Sequence, residues 1–200
     1  MSRPKNPYAR ADARTRQAKA QGYPARSVFK LEEIDRRVRL FRAGQRVLDL
    51  GAAPGSWSLY ASQKVGSSGS VLAVDVQELK QAFSPNVAVA QGDALELDNA
   101  ALGRFAPYDV VLSDMAPNTS GNKLRDQARS FELFERAAAV ARALGKPGSH
   151  FVGKLFMSED FKQAERLLRE NYGRVQVIRP AGTRQQSSEV FLVGLGLKKT

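Results

Sequence analysis

The sequence predicts an α/β fold, a mostly parallel β-sheet covered by helices on both faces. Three observations predict it. From residue 46 onward, short apolar runs alternate with helix-length patterns, the order that builds parallel strands joined by crossover helices. Several of these runs end in Asp or Gly. The last two, RVQVIRP (174–180) and SEVFLVGLGL (188–197), have no helix between them. They are expected to pair antiparallel at one side of the sheet.

Residues 1–7 hold two Pro and little apolar matter, and are expected to be mobile. YARADARTRQAKAQ (8–21) reads as a polar, basic helix that Gly22 ends. Ser27 is the expected cap of a second helix, in which Val28, Leu31, Ile34 and Val38 fall at helical spacing. Its outer face carries Arg36, Arg37 and Arg39. RVLDLGAAPG (46–55) is a strand running into a Gly/Pro turn, followed by a helix at 56–64. SVLAVDV (70–76), NVAVAQGD (86–93) and YDVVLSDMAP (108–117) supply three further strands. A long helix at 126–144 is closed by Gly145, Pro147 and Gly148, with Phe131, Leu133 and Phe134 expected in the core. SHFVGKLF (149–156) is the fifth strand, and a helix at 159–171 leads to the final pair. The chain divides into a basic N-terminal arm (1–25) and a single domain (26–200).

Composition limits the chemistry. The 200 residues carry a formal charge of +11 and 42% hydrophobic residues, enough for an ordinary core without staples. The absence of Cys excludes disulfides, thiolate zinc sites and thiol nucleophiles, and suits a reducing, cytoplasmic setting. A single His disfavours a His-based triad or a His-rich metal site; that residue, His150, reads as structural. No apolar run approaches the ~18 residues of a membrane span. The charge is uneven: residues 1–46 hold 13 Lys/Arg against 4 Asp/Glu, and residues 47–200 hold 18 against 16. A solvated tail is the plainer explanation of such a run. The functional one is an arm that tracks phosphates and releases them as salt rises. Tyr8 and Tyr23, beside the Arg residues, could stack on bases or simply pack.

In open parallel sheets, ligands bind beyond the carboxyl ends of the strands. Polar residues gather at those ends here. Asp49 and Gly51 close the first strand, Asp75 the second, Asp93 the third and Asp114 the fourth, and Lys154 stands late in the fifth. Helix capping accounts for one or two such acids, less readily for four. The turn Gly51-Ala52-Ala53-Pro54-Gly55 presents small residues where a ligand must approach backbone. The helix starting after Gly55 offers free N–H groups. Asp75 lies 24 residues after Gly51, near the ~20 expected for an acid that binds ribose hydroxyls. These features indicate a nucleoside-bearing cofactor. They leave both a nicotinamide dinucleotide and S-adenosylmethionine open, although G-x-G-x-x-G is unmatched, with Ala at 53 and Ser at 56.

DLGAAPGSWS (49–58), SDMAPNTSG (113–121), FVGKLF (151–156), SEVF (188–191) and RSVFKLEEID (26–35) together resemble the FtsJ-type ribosomal RNA ribose 2′-O-methyltransferases, over about residues 8–197. The resemblance implies a Rossmann-like, S-adenosylmethionine-dependent methyltransferase fold of seven strands, the last antiparallel. It implies a Lys-Asp-Lys-Glu tetrad on Lys30, Asp114, Lys154 and Glu189, and cofactor contacts on Gly55, Trp57, Asp75, Asp93 and Asp114, with no metal. It also implies a uridine in large-subunit ribosomal RNA as acceptor, met within the large ribosomal subunit, and a monomeric, cytoplasmic enzyme without membrane partners. In that chemistry Lys154 positions the ribose hydroxyl, which either gives its proton to the lysine or is steered by the charged form. Asp114 touches cofactor and Lys154, and Glu189 holds a lysine. A transfer RNA acceptor, a non-catalytic RNA-binding assembly factor and a nicotinamide enzyme stay as alternatives.

Overall fold

The computed structural model describes residues 7–181, 183 and 187–199, with side chains from residue 13. The expected mobility of residues 1–6 and the role of the Tyr8 ring fall outside that description. The elements run α1 (Pro7–Ala20), α2 (Val28–Val38), β1 (Arg46–Leu50), α3 (Ser56–Val65), β2 (Ser70–Asp75), β3 (Val87–Gln91), α4 (Asn99–Leu102), β4 (Tyr108–Ser113), α5 (Lys123–Leu144), β5 (Gly145–Phe156), α6 (Phe161–Asn171), β6 (Tyr172–Ile178) and β7 (Glu189–Leu197). One seven-stranded sheet has the order β3-β2-β1-β4-β5-β7-β6. β7 inserts between β5 and β6 and is antiparallel to both. The pairs β1–β2, β1–β4, β2–β3 and β4–β5 are parallel. The chain therefore leaves β1 toward β2 and β3, then crosses back to β4 on the other side. That reversal is the topological switch point at which open α/β sheets bind ligands.

Strand side chains alternate between the faces, and the core divides accordingly. Leu48, Leu50, Leu72 and Phe151 pack under α5 and α6 with Phe134, Ala137 and Leu168. Val47, Val71, Val110, Val152 and Phe191 pack under α2 and α3 with Leu31, Ile34, Trp57 and Ala61. The near-continuous apolar strands follow from this two-sided cover.

The basic arm is not detached. Ala18 of α1 is fully buried and Tyr23 is 8% exposed, both within the α2–α3 core. The Tyr23 hydroxyl donates to Gln63 at 2.7 Å, so this ring packs and does not present a face for base stacking. Ser27 occupies the N-cap position of α2, but its backbone is helical and its side chain makes no capping bond. The helix entry is held instead by the Ser27 carbonyl, which accepts from Trp57 Nε1 at 2.9 Å. Arg36, Arg37 and Arg39 lie on the outer side of the helix, as their spacing predicts. α5 begins at Lys123, earlier than the apolar pattern indicates, because the Asn122 side chain caps it by accepting from the Arg125 N–H. The four-residue α4, capped by Asp98, is too short to leave a periodic signal.

Candidate active site

At the switch point a cleft of about 550 Å³ opens beyond the carboxyl ends of β1, β2, β3 and β4. Its floor is the turn after β1. Gly51 stands there at φ +76°, and a β-carbon on it would lie 2.8 Å from the Met115 backbone nitrogen. Both the left-handed backbone and the approach of β4's continuation demand glycine. Asp75 ends β2 and ties the turn down: one carboxylate oxygen accepts from the Ala53 N–H and the other from the Gln77 N–H, each at 2.8 Å. Asp93 lies just past β3 and accepts from the Leu95 N–H at 2.9 Å. Asp75, Asp93 and Asp114 all line the cleft, as their strand-end positions predict.

Asp49 does not. It lies inside β1, fully buried, and faces α3, where the Ser58 hydroxyl donates to it at 2.6 Å. Burial pushes its carboxyl up to about 7, with the charges of Asp114 and Asp75 adding to the rise. Gly55 and Trp57 also stand apart from the lining. A β-carbon on Gly55 would lie 2.9 Å from Cζ of the Phe83 ring. Trp57 is 2% exposed, with its indole against Phe191 and its N–H committed to Ser27. The Gly55 N–H donates to the Ala52 carbonyl at 2.6 Å, so the first-turn N–H groups of α3 that lack intrahelical partners begin at Ser56. α5 supplies a wall that sequence reasoning missed. Arg129, Glu132 and Leu133 line the cleft, whereas the apolar pattern assigned Leu133 to the core. Phe134 lies in the core at 1% exposed, and Phe131 is half-buried against it, as expected.

The tetrad residues form two ion pairs. Lys154 Nζ lies 2.9 Å from Asp114 Oδ1 and donates to the Asp114 carbonyl at 2.5 Å. Oδ1 meets the ammonium as a charge contact without the alignment of a hydrogen bond. Lys154 is 7% exposed, and a buried ammonium is tolerated only when paired in this way. Lys30 Nζ lies 2.6 Å from Glu189 Oε1. The ladder explains how the pairs come together. Lys154 lies directly opposite Phe191 across β5–β7, and Glu189 is two residues before Phe191, so all three project from one face. Lys30 comes down from α2 onto that face, 5.8 Å from the centre of the Phe191 ring. Asp114 belongs both to the cleft and to the Lys154 pair. Asp114 thus links the carboxylate-lined cleft to the buried amine of Lys154, which does not itself line it.

A pocket lined by four carboxylates, Asp75, Asp93, Asp114 and Glu132, against the single guanidinium of Arg129 suits a ligand that brings hydroxyl and amino donors and a positive centre. It is poorly suited to the two phosphates of a nicotinamide dinucleotide. A methyl donor on a nucleoside sulfonium meets those terms, and comparison with known proteins decides the class. The FtsJ-like methyltransferase family model matches residues 23–197. The chain belongs to that family. Among its relatives, a ribosomal RNA large subunit methyltransferase E from Sorangium cellulosum is 67% identical over 196 residues, covering 98% of this chain and 92% of the relative. The enzyme of that name from Nitratidesulfovibrio vulgaris is 50% identical, covering 90% of each chain. A ribosomal RNA methyltransferase structure from Plasmodium falciparum shares the fold, with a TM-score of 0.76 at 21% identity, covering 89% of this chain and all of that one. This FtsJ-like chain is a methyltransferase with the expected seven-stranded sheet. Its His150 is half-buried, and Nδ1 accepts from the Gly196 N–H at 3.2 Å, a structural placement away from the cleft. Among the described residues, no helix is long and apolar enough to cross a membrane.

Proposed function

We infer that this chain transfers a methyl group from S-adenosylmethionine to the ribose 2′-hydroxyl of a uridine in large-subunit ribosomal RNA, in the bacterial cytoplasm. The observation that carries the reading is the buried amine of Lys154, held by Asp114, which also lines the nucleoside-sized cleft, with the Lys30–Glu189 pair beside it across Phe191. The fit to the donor is supported by the lining: Asp75 and Asp93 accept from hydroxyl and amino groups, and the Asp114 carboxylate favours a positive centre beside it. Trp57 acts through the backbone of the α3 N-terminus, with Gly55 at its N-cap position. Bound there, S-adenosylmethionine supplies an electrophilic methyl on sulfur. Lys154 Nζ contacts the 2′-oxygen and aligns its lone pair with that methyl; as the neutral amine it takes the released proton and becomes the ammonium, and as the ammonium it only steers the oxygen, the proton leaving to water. Asp114 fixes the lysine through its carbonyl and carboxylate. Glu189 holds Lys30, whose ammonium faces the acceptor's backbone charge. Alignment of two reactants supplies up to roughly 7–11 kcal/mol in the best cases, and that is the main service this constellation performs.

Mapping 2′-O-methyl groups on RNA from cells with and without the protein tests this reading. The expected result is one uridine of large-subunit RNA that loses its methyl when the protein is absent. A methyl lost only from transfer RNA, or from no RNA, overturns it.

We further propose that residues 1–25 and the outer face of α2 hold the RNA backbone. Because Ala18 and Tyr23 belong to the core, deleting the arm would disturb the fold, so charge removal is the cleaner test. Arg16 and Lys19 of α1 and Arg36 and Arg37 of α2 are exposed cations of these two helices. Arg37 also pairs with Glu33, so the variant changes Arg16, Lys19 and Arg36 to Gln and leaves Arg37 alone. The plot of log affinity against log salt should flatten by about 0.7 for each phosphate no longer neutralised. S-adenosylmethionine affinity should stay the same. Equal slopes for the two proteins remove this face from the interface.

A further inference from the structure

Glu33 is the one charged residue among the buried positions of α2, at 8% exposed beside Val28, Leu31 and Ile34. A buried carboxylate is costly unless paired, and this one has two partners. Arg37 Nη2 meets Oε1 at 2.5 Å, one turn along the same helix. The Ala181 backbone N–H donates to Oε2 at 2.8 Å, from 148 residues away. The first is a pair that any helix surface could hold. The second joins α2 to the connection between β6 and β7.

That connection leads back to the tetrad. The Thr183 N–H donates to the Pro180 carbonyl at 2.9 Å, folding a turn around Ala181. The Thr183 hydroxyl then donates to Glu189 Oε1 at 3.4 Å, the same oxygen that holds Lys30 Nζ. Lys30 and Glu33 lie three residues apart on α2, hence on one side of it. The path therefore closes on itself: Glu33 to Ala181, through the turn to Glu189, and from Glu189 to Lys30. Arg179 ties the connection's two ends by donating to the Ser187 carbonyl at 2.7 Å. That bond sets the width of the connection, whereas Glu33 sets its place against α2.

We propose that Glu33 is a positioning residue, whose buried carboxylate pins Ala181 to α2 and thereby fixes Glu189 against Lys30. The proposal rests on the tetrad reading given above. Its physical basis is the sensitivity of alignment-driven catalysis, in which a displacement of about 1 Å in a positioned group costs up to about 100-fold in rate. Without the pin, β7 still pairs with β5 and β6 and the cofactor cleft is untouched. The loss falls on turnover and leaves donor binding intact.

The experiment uses the full chain, radiolabelled S-adenosylmethionine, and large ribosomal subunits from cells that lack the protein. Glu33→Ala removes the acceptor. Ala181→Pro removes the donor and leaves the Glu33–Arg37 pair in place. Each should lower kcat about tenfold or more, with S-adenosylmethionine affinity unchanged within about threefold. The double variant should be no worse than either single one, because both break the same hydrogen bond. Glu33→Gln keeps an oxygen toward Ala181 and should restore kcat to within about threefold of the parent. Exchange of the Ala181 amide should speed up at least tenfold in Glu33→Ala while the α2 amides stay protected. Parental kcat in a variant whose Ala181 amide is free, multiplicative losses in the double variant, or failure of Glu33→Gln to rescue would each overturn the role. A parent chain that methylates no subunit overturns the underlying reading and the role with it. An active parent with any of the former three results overturns the role of Glu33 alone.

Discussion

Lys154→Ala should abolish methyl transfer while leaving the fold and donor binding in place. A correctly placed proton acceptor contributes about 10²–10⁴-fold, and loss of the oxygen's alignment adds to that, so turnover should fall by at least about 1,000-fold. The side chain is 7% exposed and sits near the end of a β5 ladder whose other residues are unaffected. Its removal leaves Asp114 facing the open cleft, where water reaches the carboxylate. S-adenosylmethionine affinity, measured by titration calorimetry, should change by less than about threefold. A second substitution separates two roles for the amine. Lys154→Arg keeps a donor but carries a group that does not deprotonate in proteins. If Nζ relays the proton, Arg is as inactive as Ala. If it only steers the oxygen, Arg keeps part of the rate. Turnover in Lys154→Ala within tenfold of the parent would remove Lys154 from the chemistry.

What the chain discloses in advance follows physical periodicity. The strands of the sheet are legible because a two-sided cover forces consecutive apolar residues, and β6–β7 pairing is legible because no helix separates them. The bringing together of Lys30, Asp114, Lys154 and Glu189 comes from motif resemblance. Nothing in the spacing of residues places position 30 beside position 189. Side-chain direction is the weakest point. Asp49 and Asp75 look alike in sequence, each near the end of an apolar run. The ladder sets Asp49 opposite Ala73, so Asp75 stands two positions farther along the same face and reaches the cleft, while Asp49 lies in the core against Ser58. Trp57 lies in the cofactor turn by sequence, yet the first turn of α3 carries its indole onto Phe191. Arg129 and Glu132 are invisible because exposed residues on a helix follow no pattern that marks a pocket. The reach of Glu33 is invisible for a different reason: its distant partner is the Ala181 backbone amide, and backbone partners leave no trace in residue identity.

The placement of Asp49 gives the chain a measurable pH dependence of stability. The group is fully buried, its Oδ1 has no hydrogen-bond partner among the described residues, and Ser58 donates to Oδ2. Burial holds its folded-state pKa up at about 7, against about 3.9 for an ordinary Asp in the unfolded chain. Below pH ~4 both states carry the proton, and the carboxyl contributes its full stability. Between ~4 and 7 the unfolded chain gives up the proton while the folded chain keeps it. Unfolding then becomes easier as pH rises, by up to about 1.4 kcal/mol per pH unit from this group. Above about 7 the folded state ionises too and the dependence levels off. The charge formed there stands near Asp114 and Asp75, so the strain lies directly beneath the turn that floors the cleft. Asp49→Asn keeps an oxygen for Ser58 and cannot ionise. Denaturant midpoints measured from pH 4.5 to 8 should converge at the acid end and separate toward neutral pH, with the parent falling relative to the variant by several kcal/mol. Parallel curves across that range would mean that Asp49 is ionised in the folded protein throughout, and that some unseen donor reaches Oδ1.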